Sequence, residues 1–345
     1  MSSKKKTKKY KAMDLFSGCG GLSLGLKKAG FIVKAAVEID PLAALTYRKN
    51  HTKTNLIESD IRKVSGRSLL KAAGVKRGEL DLLAGCPPCQ GFSRIKNLNR
   101  LSTDDPRNDL VFEFLRLIIQ IRPKTVLMEN VPGLSLDERF KKFEKNLKEI
   151  GYQSVCSILN AANYGAPQRR KRFIFMASRI GAPELPNPDK KLKTVRSVIE
   201  YLPNPAGSED SLHKLFLKNT PRIKKLISKI PKNGGSRSAL KKQLPCHIKT
   251  EGFRDVYGRI KWDDVAPTLT GGCFNPSKGR YLHPTKNRAI TMREASLLQS
   301  FPINYYFPAY AGLISVSRLI GDAVPPIFAK RQAQKLYDHL DVYAK

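Results

Sequence analysis

The sequence predicts an α/β fold in which a doubly wound parallel sheet with helices on both faces is followed by a smaller irregular module. Three observations predict it. From residue 11 to about 180, short apolar runs alternate with longer amphipathic segments, and strand–helix alternation of this kind indicates a parallel sheet. A glycine-rich stretch, DLFSGCGGLSLGL, joins the first apolar run to the next segment. After Ile180 the alternation stops, and lysine, proline, glycine and asparagine become frequent.

Each predicted element has its own pattern. Five short apolar runs predict strands, namely AMDLF (12–16), FIVKAAVE (31–38), LDLLAG (80–85), TVLMEN (125–130) and RFIFMA (172–177). Segments 22–30, 41–50, 110–122 and 140–151 have helical spacing, and two of them end at a glycine, as helices often do. Near the C-terminus, EASLLQSF and SRLIGDAVPPIFAKRQAQKLYDHL also predict helix.

Composition limits the class of protein. The chain has 345 residues, 41% of them hydrophobic, which is enough to bury the core of a large domain and a smaller one. No apolar run approaches the ~20 residues that a bilayer requires, and the basic N-terminus lacks the apolar segment of a signal peptide. The six cysteines (19, 86, 89, 156, 246 and 273) are scattered, which predicts reduced thiols. We therefore expect a cytoplasmic protein without a membrane segment.

The charge is strongly positive. Lys and Arg number 63 against 29 Asp and Glu, which gives a net charge of +34. The excess extends beyond the N-terminal lysines, because residues 181–287 hold 21 basic and nine acidic residues. A lysine-rich surface could serve solubility alone. A polyanion partner is the stronger interpretation, since basic surfaces bind nucleic acid by releasing the counterions of its phosphates.

The glycine turn predicts a nucleoside cofactor. Gly18, Gly20 and Gly21 lie between a predicted strand and a predicted helix, where the backbone must turn sharply and a ligand can approach it closely. Glu38 follows 20 residues after Gly18, at the end of the second strand, where doubly wound folds present a carboxylate to a ribose. Asp60 follows a third apolar run and could accept a hydrogen bond from an adenine amino group. A plain tight turn, or a nicotinamide cofactor, would fit these residues as well.

Residues 85–93, GCPPCQGFS, place two thiols three positions apart. Half of a metal site, a redox pair, or one nucleophile beside a spectator thiol would each explain them. A zinc site that also uses Cys246, His247 and Cys273 has the wrong spacing for a closed finger, so we expect no metal. The other histidines (51, 213, 283 and 339) belong to no recognisable site and are expected at the surface or as helix caps.

The residues at the strand ends distinguish hydride transfer from covalent catalysis. In open parallel sheets, catalytic groups gather at the carboxyl ends of the strands. Here Cys89 follows LDLLAG, Glu129 and Asn130 end TVLMEN, and several arginines lie near RFIFMA. A thiol, a carboxyl group and guanidinium groups beside a nucleoside cofactor favour covalent catalysis.

The motifs DLFSGCGG, VEID, GCPPCQGFS, MENVPG, QRRKR, TLT, REASLLQSFP and GDAVPP occur in this order, and the chain resembles the DNA cytosine-5 methyltransferases of bacterial restriction–modification systems. Only about 183–260 is unmatched. The resemblance implies a class I S-adenosylmethionine-dependent methyltransferase fold with a smaller, irregular target-recognition domain. The expected domains are a disordered basic tail at 1–10, a catalytic and cofactor-binding domain at 11–180 that 315–345 complete, and the target-recognition domain at 181–314.

The resemblance also implies catalytic roles. Cys89 would be the nucleophile that adds to C6 of cytosine, while Cys86, where the family often has a small residue, would be a bystander. Glu129 would hold N3 and the exocyclic amine of the base. Arg170 and Arg172 match two arginines of a family motif, and Arg172 would face O2 of the base.

The implied cofactor is S-adenosyl-L-methionine. Phe16, Gly18, Gly20 and Gly21 would line its pocket, and Glu38 would bind its ribose. Further residues would surround its adenine and methionine portions, namely Ile39, Asp60, Ile61, Pro88 and Leu110. The motif GDAVPP would complete the pocket through Asp322 and Val324. The family usually has asparagine at the position of Asp322, which leaves that one contact open.

The implied partner is double-stranded DNA with its target cytosine flipped out. Residues 93–109 would close over the DNA. The expected DNA-binding residues are Gln90, Ser93, Arg94, Gln168, Thr268, Thr270, Lys278 and Arg280, with the last two as phosphate contacts. A cognate restriction endonuclease that acts on the same site, a monomeric state and a cytoplasmic, nucleoid-associated location are also expected. A transfer-RNA cytosine-5 methyltransferase and an inactive DNA-binding relative are the alternatives.

Overall fold

The computed structural model describes residues 9–88, 109–240 and 255–343, and the chain divides into two compact units. The first unit comprises Met1–Asn160, Lys171–Pro188 and Val324–Lys345. The second comprises Ala161–Arg170 and Asp189–Ala323. Most of the predicted basic tail lies outside the described residues, but Tyr10 is buried and its hydroxyl donates to Oδ1 of Asp341 at 2.8 Å.

The first unit contains a seven-stranded sheet in the order β3-β2-β1-β4-β5-β7-β6. Its strands are β1 (Lys11–Leu15), β2 (Ile32–Glu38), β3 (Asn55–Glu58), β4 (Leu82–Gly85), β5 (Thr125–Asn130), β6 (Gln153–Asn160) and β7 (Lys171–Ser178). Neighbouring strands among the first five pair in parallel, and the strand order reverses on either side of β1, as in a doubly wound fold. All five predicted strands are confirmed.

The predicted parallel sheet contains one antiparallel strand, next to one edge. Strand β7 is antiparallel to both β5 and β6. The apolar run RFIFMA predicts a buried strand but carries no information about its direction. Strand β6 was missed, because it is an edge strand with exposed polar positions and no continuous apolar run.

The helices of the first unit pack on both faces of this sheet. They are α1 (Gly21–Lys28), α2 (Pro41–Asn50), α3 (Gly66–Ala73), α4 (Leu110–Ile121), α5 (Glu138–Glu149) and the C-terminal α11 (Pro326–Tyr343). Successive side chains of a strand point to opposite faces. Met13 and Leu15 join the apolar core that Phe114 of α4 shares, while Asp14 between them accepts a hydrogen bond from Ser23 of α1.

Close packing and helix caps hold the helices on the two faces of the sheet. A Cβ atom on Gly25 of α1 would lie 2.4 Å from Cβ of Ala329 in α11, so this contact between the two helices requires glycine. Asp40 caps α2 by accepting from the amides of Leu42 and Ala43. On the other face, the edge-to-face rings of Phe140, Phe173 and Phe175 join α5 to β7.

The second unit is irregular. It contains α6 (Arg196–Ile199), α7 (Ser211–Lys214), α8 (Pro221–Ser228), α9 (Met292–Leu298) and α10 (Gly312–Asp322). Three isolated β-bridges join its described loops, namely Gln168–Ala266, Arg259–Leu282 and Leu282–Ala289. Thr291 and Glu294 form a capping box at the start of α9, in which each side chain accepts from the other residue's amide.

The last predicted helix is in fact two, because α10 ends at Asp322 and α11 begins at Pro326. Both helices lie in the stretch Ala309–Tyr343. By length and composition alone, an 18-residue window of this stretch is apolar enough to cross a membrane. Half of that window is buried inside the protein. Core helices of soluble proteins share these properties, so the stretch carries no argument for a membrane span.

Candidate active site

Four strand ends of the first unit form a row at the carboxyl edge of the sheet. Val37, Leu15, Gly85 and Met128 are Cα partners across β2, β1, β4 and β5. The residue after each of them carries the candidate chemistry. In strand order these next residues are Glu38, Phe16, Cys86 and Glu129. Parallel pairing therefore brings the predicted cofactor carboxylate and the predicted catalytic carboxyl group to the same edge.

The glycine turn leaves open space beside β1. Phe16 and Gly18 have φ values of 58° and 54°, and Gly20 has a φ of 96° directly before α1. The turn is fixed by hydrogen bonds from Ser17 N to Val37 O and from Gly20 N to Ser17 O, both of 3.0 Å. A Cβ atom at Gly18 would meet nothing within 4 Å. The turn thus offers backbone that a ligand can approach. Gly21 is buried as the first residue of α1.

Glu38 joins this turn to the end of β2. Its Oε2 accepts from the amide of Gly18 at 2.7 Å, and its Oε1 accepts from the amides of Ile39 and Asp40 at 2.9 and 2.8 Å. Burial raises the pKa of the Glu38 carboxyl group, and the three amide donors oppose that rise. Three of its roughly four lone-pair directions are used, which leaves Oε2 able to accept one further hydrogen bond.

The other predicted cofactor residues have varied surroundings. The side chain of Asp60 is about a quarter exposed, and the backbone amide of Arg62, which it accepts from, lowers its pKa. Ile39 is exposed, whereas Ile61, Leu110 and Val324 are buried. Pro88 is half-buried and Asp322 is exposed in the second unit.

A buried polar network beneath the glycine turn was missed by the sequence interpretation. The hydroxyl of Ser23 donates to Oδ2 of Asp14 at 2.6 Å and lies 2.7 Å from the hydroxyl of Tyr47. Burial raises the pKa of Asp14 to about 7. The only available signal was the unexplained aspartate in the middle of an apolar strand.

His51 lies in the same region. Its Nε2 is 3.2 Å from the carbonyl oxygen of Gly20, and its Nδ1 is 2.9 Å from Nζ of Lys27. Burial lowers the pKa of His51 to about 3, so the ring is neutral, donates to Gly20 and accepts from Lys27. His213, His283 and His339 are buried too. The expectation of surface histidines was therefore wrong, because each ring finds hydrogen-bond partners that sequence spacing does not reveal. The expectation of capping is confirmed for His51, which is the C-cap residue of α2.

Glu129, which is buried, and Arg172, which is half-buried, form an ion pair. Nε of Arg172 lies 2.9 Å from Oε1 of Glu129, and the two side chains are only 16% and 9% exposed. The contact is an ion pair without an aligned hydrogen bond, since Oε1 receives none from the described part of the chain. Cys86 lies beside Glu129, and its pKa is raised by burial first and then by the negative charge of Glu129. Asn130 ties the two strand ends together by donating from Nδ2 to Pro87 O at 2.9 Å.

The antiparallel direction of β7 explains why Arg172 lies here. Asn130 at the end of β5 pairs with Phe173 near the start of β7. The amino end of β7 is therefore adjacent to the carboxyl end of β5, and Arg172 lies beside Glu129. Arg170 belongs to the second unit, where it is buried and its NH1 donates to Leu269 O at 2.8 Å.

Cys89, Gln90, Ser93 and Arg94 lie outside the described residues, as does most of the 93–109 segment. For the predicted nucleophile, Cys89, only the position in the sequence is therefore known, three residues after Cys86. The predicted roles of these four residues stay predictions.

Several predicted DNA-binding residues are engaged inside the second unit. Gln168 is fully buried, donates to Leu298 O at 3.2 Å and accepts from Leu269 N at 3.1 Å. Arg280 pairs with Asp255 at 3.0 Å and donates to the carbonyls of Gly234 and Arg259. Both side chains hold loops of the unit in place, so their assignment to DNA has no support from their geometry.

The threonines and Lys278 are more open. Thr268 donates to Arg169 O at 2.5 Å, and Thr270 is exposed with its hydroxyl 3.3 Å from that of Tyr281. Lys278 is exposed, with its Nζ 5.9 Å from the ring centre of Phe274. These three remain available to a partner.

Comparisons with known proteins agree on one family. The sequence profile of the C-5 cytosine-specific DNA methylases matches residues 10–338. The chain is 36% identical over 345 residues to the Type II methylase M.HgiDII of Herpetosiphon aurantiacus, covering 95% of each chain. It is 34% identical over 330 residues to the Type II methyltransferase M1.HphI of Haemophilus parahaemolyticus, covering 93% of this chain and 85% of the relative.

The fold has solved counterparts. One is a DNA modification methyltransferase encoded within an E. coli prophage, with a TM-score of 0.75 and 25% sequence identity. The match covers 96% of this chain and 99% of that structure. The profile spans nearly the whole chain and the relatives align along their length, so the protein belongs to the C-5 cytosine-specific DNA methylase family and is a DNA cytosine-5 methyltransferase.

Proposed function

We propose that the enzyme methylates C5 of a flipped cytosine within a specific short duplex sequence, through a covalent bond between Cys89 and C6, with S-adenosylmethionine as methyl donor. The observation that carries the proposal is the Glu129–Arg172 ion pair, which lies at the same sheet edge as the glycine turn. One Glu129 oxygen there is buried and receives no hydrogen bond from the described residues. This is the oxygen that contacts Nε of Arg172 without an aligned hydrogen bond, so it can still accept a hydrogen bond from a ligand.

The residues of the first unit fit S-adenosylmethionine. Gly18 leaves open space at the turn, and the buried hydroxyl of Ser17 in that turn has no hydrogen-bond partner among the residues described. Glu38 can accept from a ribose hydroxyl at its remaining lone pair, and Asp60 and Ile61 follow at the end of the neighbouring strand β3. When bound, the cofactor supplies an electrophilic methyl group on a sulfonium.

The chemistry requires a nucleophile and an acid. Cytosine C5 is too weak a nucleophile to take up a methyl group unaided. When the Cys89 thiolate forms a bond to C6, the electrons of the C5–C6 double bond shift, and C5 becomes electron-rich. Glu129 supplies or holds the proton at N3, so the ring can accept these electrons. After C5 has gained its methyl group, loss of the C5 proton breaks the bond between sulfur and C6 and releases the thiolate.

Arg172 supports both groups. Its guanidinium fixes the Glu129 carboxyl group and adds positive charge at the strand end that precedes Cys89. A free cysteine has a pKa of about 8.5 and is only a few per cent thiolate near neutrality, and nearby cations increase that fraction. Attack at C6 needs the face of the ring, so the base must leave the stack.

The second unit is the candidate for target recognition. Thr268 and Thr270 lie on it with exposed or partly exposed side chains, and base edges are read by side chains of this kind in the major groove. The relatives are Type II methylases, which supports a cognate endonuclease for the same site. A nucleoid-associated location and a monomeric state stay predictions.

Methyl transfer to mixed nucleic acids tests the function. The protein is incubated with labelled S-adenosylmethionine and either mixed duplex DNA or transfer RNA, and 5-methylcytosine is mapped by bisulfite sequencing. The proposal expects label in DNA at one short sequence context. Label in transfer RNA alone, or methylation at another base atom, would overturn it.

A further inference from the structure

We infer that helix α8 of the second unit is a phosphate-contact surface for duplex DNA, a role that rests on the proposed function. The helix lies in the stretch that the family motifs leave unmatched. Between Asp210 and Glu251 the sequence has no acidic residue, while eleven lysines and arginines occur there. Such a run alone could be an ordinary solvated surface, so the argument depends on how the structure arranges it.

Helix α8 separates its charges from its apolar residues. Ile223, Leu226, Ile227 and Ile230 pack into one cluster with Val256, Tyr257 and Leu282. At 100° per residue the three of them that lie within the helix, Ile223, Leu226 and Ile227, occupy an arc of about 100°. Arg222, Lys224, Lys225 and Lys229 fill the opposite arc, and all four are exposed. Pro221 and Ser228 are also exposed on this arc, so every charge on the outer face of the helix is positive.

The cations of this face are not neutralised by the protein. None of the four lies within ion-pair distance of a carboxylate in the described parts of the chain. Helix α5 of the first unit differs, because there Lys141 pairs with Glu138 at 2.6 Å and Lys145 lies 4.0 Å from Glu149. Like charges crowded on two helical turns repel one another unless a polyanion meets them.

The face is rigidly held. Arg259 is fully buried and lies at the C-terminal end of α8, where it donates to the carbonyls of Ile227 at 2.9 Å and Ile230 at 3.1 Å. It also donates to His283 O and Lys286 O from NH1. A buried guanidinium at a helix C-terminus satisfies free carbonyls and opposes the helix dipole. The basic face is thus pre-organised for a partner.

Duplex DNA is the occupant that these observations favour. Arg222, Lys225 and Lys229 follow one another at intervals of three and four residues, which places them about 5 to 6 Å apart along the helix. That spacing is close to the separation of neighbouring phosphates on one strand. Lys218 and Lys232 extend the exposed basic surface beyond both ends of the helix.

The salt dependence of DNA binding tests the inference. The affinity for a random-sequence duplex is measured over a range of salt concentrations for wild type and for Lys224→Gln/Lys225→Gln/Lys229→Gln. The slope of log K against log salt is negative, and each lost phosphate contact reduces its magnitude by about 0.9. The triple variant should therefore show a slope about 2 to 3 smaller in magnitude than that of wild type. The matched control, Lys141→Gln/Lys142→Gln/Lys145→Gln on α5, removes the same charge and should keep the wild-type slope.

The outcomes are distinguishable. Both variants change only exposed residues, and equal melting temperatures verify their folding. If wild type methylates DNA but the α8 variant keeps the wild-type slope, or if both variants lose the same amount, the α8 inference is wrong and the proposed function stands. The same affinities are measured for transfer RNA, and if the α8 variant loses affinity only for transfer RNA, the inference is wrong as well. Absence of methyl transfer by wild type would instead refute the proposed function.

Discussion

Nε of Arg172 lies 2.9 Å from Oε1 of Glu129, and strands of opposite direction bring the two residues together. Glu129 is near the end of β5, whereas Arg172 is the second residue of β7. The antiparallel pairing of these strands places a carboxyl group and a guanidinium at one buried edge. There the pair is partly shielded from water, so its electrostatic effect on a bound base is larger than it would be at the surface.

Removing the acid should remove most of the catalysis. Glu129→Gln keeps the size of the side chain but cannot supply a proton to N3, so kcat should fall by about 10² to 10⁴-fold. Binding of S-adenosylmethionine, measured by calorimetry, should be unchanged. Arg172→Lys, which loses the planar guanidinium, should lower kcat by about tenfold or more. Arg48→Lys is the control, since Arg48 pairs with Glu58 at 2.7 Å on the surface. A normal kcat for Glu129→Gln would contradict the assigned role.

Glu38 should control cofactor binding. A glutamine at this position must turn an NH₂ group toward amides that now donate to the carboxylate, and the turn at Gly18 loses its anchor. We expect Glu38→Gln to raise the Kd for S-adenosylmethionine by about tenfold or more, which corresponds to about 1.4 kcal/mol or more. Glu58→Gln, at the paired position of β3, should leave the Kd unchanged. Equal effects of the two substitutions would show that Glu38 has no specific role.

The Cys86 thiol should be unreactive although it lies in the active site. Burial and Glu129 raise its pKa, so less of it is thiolate at any given pH than of an ordinary cysteine. In the Cys89→Ala protein at pH 8, about tenfold slower alkylation by iodoacetamide is expected at Cys86 than at the exposed Cys156, whose pKa burial raises less. Peptide mass spectrometry measures both rates in one sample. Cys86→Ala should retain most of the methyl transfer, and fast labelling of Cys86 would contradict its protonated state.

Asp14 should give stability an unusual pH dependence. Its pKa is raised from 3.8 unfolded to about 7 folded, so between these values the folded state binds more protons. Stability from this residue therefore falls as pH rises through that window. His51 acts in the opposite direction, because its folded pKa of about 3 lies below its unfolded 6.5. Asp14→Asn keeps an acceptor for Ser23 and should remove only the first effect.

Urea unfolding at pH 5 and pH 7 checks this sign. The stability of Asp14→Asn relative to wild type should increase between the two pH values. If the difference between the proteins is the same at both, Asp14 does not titrate in this range.

The sequence predicted the sheet and its edge because both depend on local patterns. Five strands, the glycine turn and the carboxylates at residues 38 and 129 follow from apolar runs and from the residues that end them. The direction of strand β7 could not be predicted, since RFIFMA has the same apolar pattern whether the strand is parallel or antiparallel. The family motif implied only that Arg172 faces the base, and its position beside Glu129 follows from the topology.

Side chains of the irregular unit could not be assigned from sequence. Lys278 and Arg280 are neighbours in one basic motif, yet Lys278 is exposed while Arg280 is committed to Asp255 and to three backbone carbonyls. Gln168 likewise belongs to a motif, QRRKR, but is fully buried. Such contacts join residues far apart in the chain, and periodicity has no information about them. The exposed cations of α8 lie where no motif matches, so only their arrangement in the fold drew attention to them.

The most direct test of the account is a covalent trap for Cys89. Removal of the C5 proton releases the enzyme, and fluorine at C5 cannot leave as a proton does. Duplex DNA carrying 5-fluorocytosine at the mapped target, with S-adenosylmethionine, should therefore give a protein–DNA complex stable in denaturing gels, attached at Cys89 by mass spectrometry. The Cys89→Ala protein should give none, whereas Cys86→Ala should still form it. A complex that persists in Cys89→Ala, or methylation by wild type without any trapped complex, would contradict the covalent mechanism.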